Sequence, residues 1–310
     1  MNRPKPVYTS AQPAADDRVL LIHHSANREH DHPASSLAGL RCCLEAGAKV
    51  VEVDINALRD GDFALLHDDQ LEHSTDGSGS VSELTAAQVR SLRHRQDDTI
   101  TSERVGLLSE AILMIQDYDH FQELQLDLKI GPALTDAALR GLLEMVAPVR
   151  GRVRVTSGAD WTLRYLRALD AELQLGFDPL LYMEIASHGE GLPPFRQGAY
   201  EYWDDHPLAT RRWGTTAAYL AARAEALWVQ APSRAIWYIR ASLLAQALDD
   251  GFDWIAFLHA RSTPVDAWTL DANKPGRAAL AQRLVSAGID RITTNNAPAL
   301  AVELGDQAVF

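Results

Sequence analysis

The sequence predicts an α/β fold: a closed (β/α)8 TIM barrel with a β-hairpin extension after the second strand and two long loops at the C-terminal face. Three observations lead there. Short apolar runs alternate with stretches patterned at i, i+3, i+4, the signature of parallel strands joined by helices. Strand candidates fall near 18–24, 49–55, 62–67, 122–129, 152–157, 173–177, 226–230, 265–269 and 290–294, and helical patterns cover 34–46, 107–116, 134–146, 160–169, 212–225, 241–250 and 275–287. One of the nine strands must be a hairpin return, which leaves the eight that a closed barrel requires.

In chain order, residues 1–17 are polar and Pro/Ala-rich and read as a disordered or extended segment ahead of a single domain, 18–310. The first strand is the apolar run Val19-Leu20-Leu21-Ile22, ending at His23; the first helix carries Leu37, Leu40 and Leu44 on one face and stops at Gly47. Only the stretch around Arg59-Asp60-Gly61 separates the second and third strands, whereas a parallel crossover takes a dozen or more residues. A two-residue turn at Asp60-Gly61 would set Arg59 against Asp62 and His67 opposite Asp54, returning His67 to Glu52 and Asp54. Connections 70–106 and 178–211 are longer than the barrel needs. The first holds Ser74-Thr75-Asp76-Gly77-Ser78-Gly79, the second Tyr182, Pro193-Pro194, Tyr200, Tyr202 and Trp203. Both follow strands and so should rise from the face where barrel active sites lie.

With 310 residues, 46% of them hydrophobic, the chain can bury one large core. Its 42 acidic and 29 basic residues give a net charge of −13, which argues against nucleic acid and anionic membranes as partners. Cys42 and Cys43 are adjacent within a helix, where a disulfide would be badly strained, and read as buried thiols. Residues 1–17 contain no apolar core of signal-peptide length, and no later segment has 18 consecutive apolar residues. The expectation is a soluble, cytoplasmic protein without a transmembrane segment; its oligomeric state stays open.

Glu52 and Asp54 share one face of a strand otherwise made of valine and isoleucine, and Asp127 and Lys129 stand in the same i, i+2 relation on another. Buried carboxylates need compensation, from a cation, from Lys or Arg, or from water at the barrel mouth. Three hard oxygen ligands at one rim favour Mg²⁺ or Ca²⁺ over zinc. His23 and His67 each end an apolar strand and could exchange protons near neutral pH, beside a carboxylate cluster or as structural groups. His24, His30 and His32 match no closed zinc site. Trp268 ends a strand and is pocket wall or core; Asp68 and Asp76 are surface acids, or orient the histidine and close the site.

These residues resemble the glycerophosphodiester phosphodiesterase family over roughly residues 18 to 300. Its opening His-Arg-Gly aligns with His23-His24-Ser25, its Pro-Glu-Asn-Thr with Pro33-Ala34-Ser35-Ser36, and its Glu-x-Asp with Glu52-Val53-Asp54. Its next block is similar to Arg59-Asp60-Gly61, His67-Asp68 and Leu71 through Gly79. Its Glu-x-Lys is similar to Asp127-Leu128-Lys129, and its closing motifs to Trp268-Thr269 and Gly288-Ile289-Asp290 through Thr293-Thr294. The resemblance implies that Glu52, Asp54 and Asp127 hold one divalent cation, that His23 and His67 are acid and base, and that Lys129 contacts phosphate. It implies cleavage of small-molecule or lipid phosphodiesters, typically glycerophosphodiesters, to an alcohol and glycerol phosphate. A cyclic phosphate intermediate is implied as well. The family arginine is His24 here, its glycine is Ser25, and the aspartate after the final threonine is Asn295, with Arg28 a candidate to replace the lost guanidinium. An aspartate at position 127 and no arginine after the first histidine also resemble sphingomyelinase D. A lipid phosphodiesterase of the sphingomyelinase D or lysophospholipase D type is therefore an alternative, as is a non-catalytic barrel that binds a phosphorylated ligand.

Overall fold

The computed structural model describes residues 18–28, 31–183 and 215–310. Eight parallel strands close into a barrel: β1 (Val19–His23), β2 (Val50–Ala57), β3 (Glu123–Leu128), β4 (Val153–Ser157), β5 (Gln174–Phe177), β6 (Ile236–Arg240), β7 (Val265–Trp268) and β8 (Arg291–Thr294). Each pairs with its neighbours in sequence, and the His23–Val51 pair joins β1 to β2 and closes the ring. Helices follow the strands: α1 (Leu37–Glu45), α2 (Leu108–Ile115), α3 (Asp136–Val146), α4 (Asp160–Leu169), α5 (Thr216–Gln230), α6 (Ala241–Asp249), α7 (Arg277–Ser286) and α8 (Ala297–Leu304). Ser36 caps α1 by accepting a hydrogen bond from Gly39 N at 3.0 Å, and Gly47, at φ 82°, ends it in the left-handed conformation that favours glycine.

Alternation divides each strand between two environments. Val51, Val53, Ile55, Leu124, Leu126, Val153 and Val155 are fully buried in the core cluster that includes the helices' apolar faces. Their neighbours Glu52, Asp54, Gln125, Asp127 and Thr156 face the barrel interior. There, Glu123 receives Arg154 at 2.7 Å and Arg291 at 2.6 Å, so the buried charges of this layer compensate one another.

The sixth strand differs from the sequence expectation. Residues 226–230 complete α5, because Tyr219, Leu220, Ala224 and Leu227 continue one buried helical face up to the turn before Pro232. The strand is Ile236-Trp237-Tyr238-Ile239-Arg240, a β-branched and aromatic run. The hairpin also slips by one. Ala57 pairs with Phe63 and Asn56 with Ala64, around a three-residue Arg59-Asp60-Gly61 loop in which Gly61 takes φ 97°. The ladder stops at Ala64, so His67 is not a strand partner of Asp54; the Asn56 amide instead donates to the carbonyls of Leu66 and His67, at 2.8 and 3.3 Å. The long 70–106 connection packs against the hairpin in a small separate core of Leu58, Ala64, Leu66, Leu71, Val81, Val89, Val105 and Leu107. Residues 1–17, His30, the Pro193-Pro194 pair, Tyr200, Tyr202 and Trp203 lie outside the described residues. Cys42 and Cys43 are free thiols; Cys43 is buried and Cys42 half-buried. No described helix is long and apolar enough to cross a membrane.

Candidate active site

A cavity of about 180 Å³ is lined by His24, Glu52, Asp54, His67, Asp127, Lys129 and Trp268, together with Gln125, Thr156, Asp178, Leu180, Tyr238 and Thr293. The expected carboxylates meet: oxygens of Glu52, Asp54 and Asp127 lie within 4.8 Å of one another. The parallel register sets Asp54 directly against Asp127. Lys129 Nζ bridges Asp54 Oδ1 at 2.8 Å and Asp127 Oδ2 at 2.6 Å. Asp54 also accepts from Ser35 Oγ at 2.9 Å and Ser25 Oγ at 3.2 Å, and Thr156 Oγ1 donates to Asp127 Oδ1 at 3.2 Å.

One ammonium does not balance three carboxylates. Burial, then the charges of Asp54 and Asp127, push the Glu52 carboxyl well above the usual range, against a 2.5 Å hydrogen bond from Ser25 N. Burial pushes the Asp54 carboxyl in the same direction, but Lys129, His67 and His24 outweigh it and hold Asp54 well below. For Lys129 the burial penalty is overcome by Asp127 and Asp54, which keep it firmly protonated.

His23 lies outside this cavity. It follows Val19 and Leu21 on the strand face turned to the core, and its ring packs edge-on against Phe310 at 5.9 Å. Neither ring nitrogen closes a well-formed hydrogen bond, and burial drives the pKa down to about 4, against an upward pull from the Asn27 backbone. Its neighbour His24 lines the cavity. There the chain makes a single tight turn, His24–Ala26, with Ser25 at φ 50° and Ala26 at φ 49°. His24 Nε2 stands 3.9 Å from Glu52 Oε2, and Nδ1 is 2.9 Å from Asn295 Oδ1. The Asn295 amide nitrogen donates to both Asp271 oxygens at 3.1 Å, which leaves its oxygen to accept from His24 Nδ1–H and frees Nε2 toward the cavity. Arg28 is also absent from the lining; its charge acts on His23 and Cys43.

His67 sits at the mouth, with Nδ1 2.8 Å from Asp68 Oδ1, and that hydrogen bond, working against burial, raises its pKa. Trp268 is flanked by the Arg240 guanidinium at 4.9 Å from its ring centroid. Tyr238 crosses β5 because Gly176 has no side chain: a Cβ there would lie 2.3 Å from Tyr238 Cε2 and 2.6 Å from Thr156 Cγ2.

Residues 28–178 match the model of the glycerophosphoryl diester phosphodiesterase family. Just under half of the chain is thus similar to that family. It is 35% identical to glycerophosphodiester phosphodiesterase 1 of Mus musculus over 130 residues, 41% of this chain and 38% of that protein. It thus spans well under half the length of that relative. A phosphodiesterase from Oleispira antarctica, solved in complex with the product sn-glycerol-3-phosphate, superposes with a TM-score of 0.63 at 20% identity, covering 93% of this chain and 97% of the other. A glycerophosphoryl diester phosphodiesterase from Parabacteroides distasonis gives 0.62 at 18% identity, covering 94% and 87%. At these identities the likeness to solved structures concerns the fold, and the closed parallel barrel with its ring of helices is that of these phosphodiesterases.

The geometry alters how the family motif is read in this chain. Of the two consecutive histidines at the opening motif, His24 lines the cavity and His23 does not. Sequence reasoning named Ser25, Ser35 and Thr293 only as motif positions and did not single out Gln125, Thr156, Asp178, Leu180, Tyr238 or Asp271. Gln125 was accessible from alternation, two residues before Asp127, whereas Tyr238 was lost with its misplaced strand.

Proposed function

We propose that the protein is a metal-dependent phosphodiesterase that cleaves glycerophosphodiesters to an alcohol and glycerol phosphate, with His24 and His67 exchanging the protons. The observation that carries this reading is the convergence of three carboxylates, within 4.8 Å of one another, with two imidazoles in one cavity. The family match supports it, as does the glycerol phosphate bound in the Oleispira antarctica enzyme.

The residues fit a divalent cation. Two carboxylates of the three remain uncompensated after Lys129 is counted, and the Glu52 carboxyl is held high by burial and by its acidic neighbours, an arrangement that a cation among hard oxygens relieves. Glu52, Asp54 and Asp127 would hold Mg²⁺ or Ca²⁺, which, when bound, supplies Lewis-acid polarisation of a phosphoryl oxygen and acidifies the attacking hydroxyl. The protein's own groups do the rest. Asn295 fixes the proton of His24 on Nδ1, so Nε2 can accept a proton inside the cavity. His67 is held through Nδ1 and likewise offers Nε2. One imidazole takes the proton of the attacking hydroxyl and the other returns one to the leaving alkoxide. Lys129 contributes a permanent positive charge at the cavity surface, where the phosphorane oxygens gain charge. A cyclic phosphate formed by the neighbouring hydroxyl is consistent with this arrangement, and a cytoplasmic location remains part of the reading.

A cavity of about 180 Å³ suits a glycerol phosphate head group. Phosphorus NMR of the protein with Mg²⁺ or Ca²⁺ and a panel of glycerophosphodiesters, lysophospholipids and sphingomyelin should show chelator-sensitive glycerol phosphate or cyclic phosphate from the first class. A silent panel would favour the binding-protein reading instead, and turnover confined to sphingomyelin or lysophospholipid would favour the lipid one.

A further inference from the structure

Among the described residues that line the cavity, His67 has a largely exposed imidazole, at 62%, and the proposed reaction needs one of its nitrogens aimed inward. Its backbone is anchored, since the Asn56 amide on β2 holds the Leu66 and His67 carbonyls at 2.8 and 3.3 Å. Its ring has a single hydrogen-bond partner among the described residues, Asp68, with Nδ1 to Oδ1 at 2.8 Å. The second Asp68 oxygen, Oδ2, lies 3.9 Å from Nδ1 of His73, an exposed charge pairing and not a hydrogen bond. His73 stands on the short helix Leu71–Ser74, whose Leu71 is buried in the small core of the 70–106 segment. Leu71 thus anchors in that accessory core the short helix that carries His73, and His73 faces the Asp68 that holds the imidazole at the cavity mouth.

Resting on the proposed reaction, we propose that Asp68 is a positioning residue that fixes His67 as the proton donor, and that the 70–106 segment, through His73, is the buttress that holds Asp68. A carboxylate on Nδ1–H sets the tautomer and aims Nε2 into the cavity; it also stabilises the imidazolium, which a neutral amide such as Asn295 on His24 does less well. In the step assigned to His67 the Nε2–H bond breaks as an O–H bond forms on the leaving alkoxide. The ring is left neutral with its remaining proton on Nδ1 against Asp68, and a later proton from water restores it. Asp54 and Lys129 also act on His67 from the cavity side, with opposite signs.

The test uses Asp68→Ala, Asp68→Asn and His73→Ala in the full chain. In long-range proton–nitrogen spectra of the histidine rings, wild type should show neutral His67 with its proton on Nδ1, Asp68→Ala should lose that preference, and Asp68→Asn should retain much of it through the amide oxygen. With glycerophosphocholine, Asp68→Ala should lower kcat roughly 10- to 100-fold at nearly unchanged KM and displace the basic limb of the pH profile to lower pH. Asp68→Asn should fall between, and His73→Ala should lose several-fold. An unchanged tautomer in Asp68→Ala overturns the inference, as does full kcat. The spectra need no turnover, so failure of this inference is distinguishable from failure of the proposed reaction.

Discussion

The structure places His24 in the cavity and His23 outside it, and the proposed reaction therefore separates two adjacent histidines. His24→Ala removes an imidazole whose Nε2 faces the cavity, whereas His23→Phe replaces a ring that lies against Phe310 outside it. A positioned acid or base is worth about 10²- to 10⁴-fold in rate, or roughly 3 to 5 kcal/mol of barrier at 1.36 kcal/mol per decade. His24→Ala should therefore lose about that factor in kcat with the barrel intact by circular dichroism. The stability cost should be near 1 kcal/mol, for the unpaired Asn295 oxygen. His23→Phe should keep kcat within about twofold. Two buried ring nitrogens without well-formed partners cost of order 1–3 kcal/mol each, and phenylalanine removes both while adding bulk that takes back part of the gain. Its urea midpoint should match or exceed wild type. Steady-state kinetics on glycerophosphocholine and urea denaturation measure both quantities. Loss of turnover in a folded His23→Phe protein, with His24→Ala still active, would refute the placement of the catalytic histidine.

The same pair makes a pH prediction. Because burial lowers His23 from 6.5 to about 4 in the folded chain, the unfolded state binds its proton first, and the stability owed to a neutral ring is present above pH 6.5 and lost toward pH 4. The stability advantage of His23→Phe over wild type should accordingly widen by up to about 3 kcal/mol between those limits, measured as the difference in urea unfolding free energies; a constant difference would show that the ring is not buried as a neutral group. Gly176→Ala should destabilise by about 1–3 kcal/mol and raise KM, because the new Cβ would drive the Tyr238 ring off Thr156 into the cavity. Thermal melts and kinetics check it, and a silent substitution would mean that Tyr238 has room elsewhere.

The barrel was legible because parallel strands and their helices leave strong periodic signals, and Val51-Glu52-Val53-Asp54 separates its apolar, helix-facing side from its acidic, cavity-facing side by alternation alone. The strand at 236–240 was misread because the Trp228-Val229 end of α5 is as apolar as a strand; only its continuity with Tyr219, Leu220 and Ala224 identifies it as helix. Strand count survived that error, since one wrong member replaced one missing one. The hairpin slip had a local cause: Gly61 permits a three-residue loop as readily as a two-residue turn, and the two differ by one residue in register. His23 and His24 could not be separated from spacing. Which of two consecutive histidines enters the cavity depends on where β1 ends and on the left-handed turn at Ser25 and Ala26, a conformation that neither residue type announces. The Asn295–Asp271 pair behind His24 joins residues 24 apart on a loop and a strand end, a tertiary contact with no local signature.

The most direct test of the account is calorimetric titration of Mg²⁺ and of Ca²⁺ into the metal-free protein and into Glu52→Gln. One stoichiometric site per chain in wild type, lost or weakened at least tenfold in Glu52→Gln, is the predicted result. No binding by wild type, or equal binding by both proteins, would contradict a catalytic cation held by Glu52, Asp54 and Asp127, and would leave those carboxylates with Lys129 as a structural ion network.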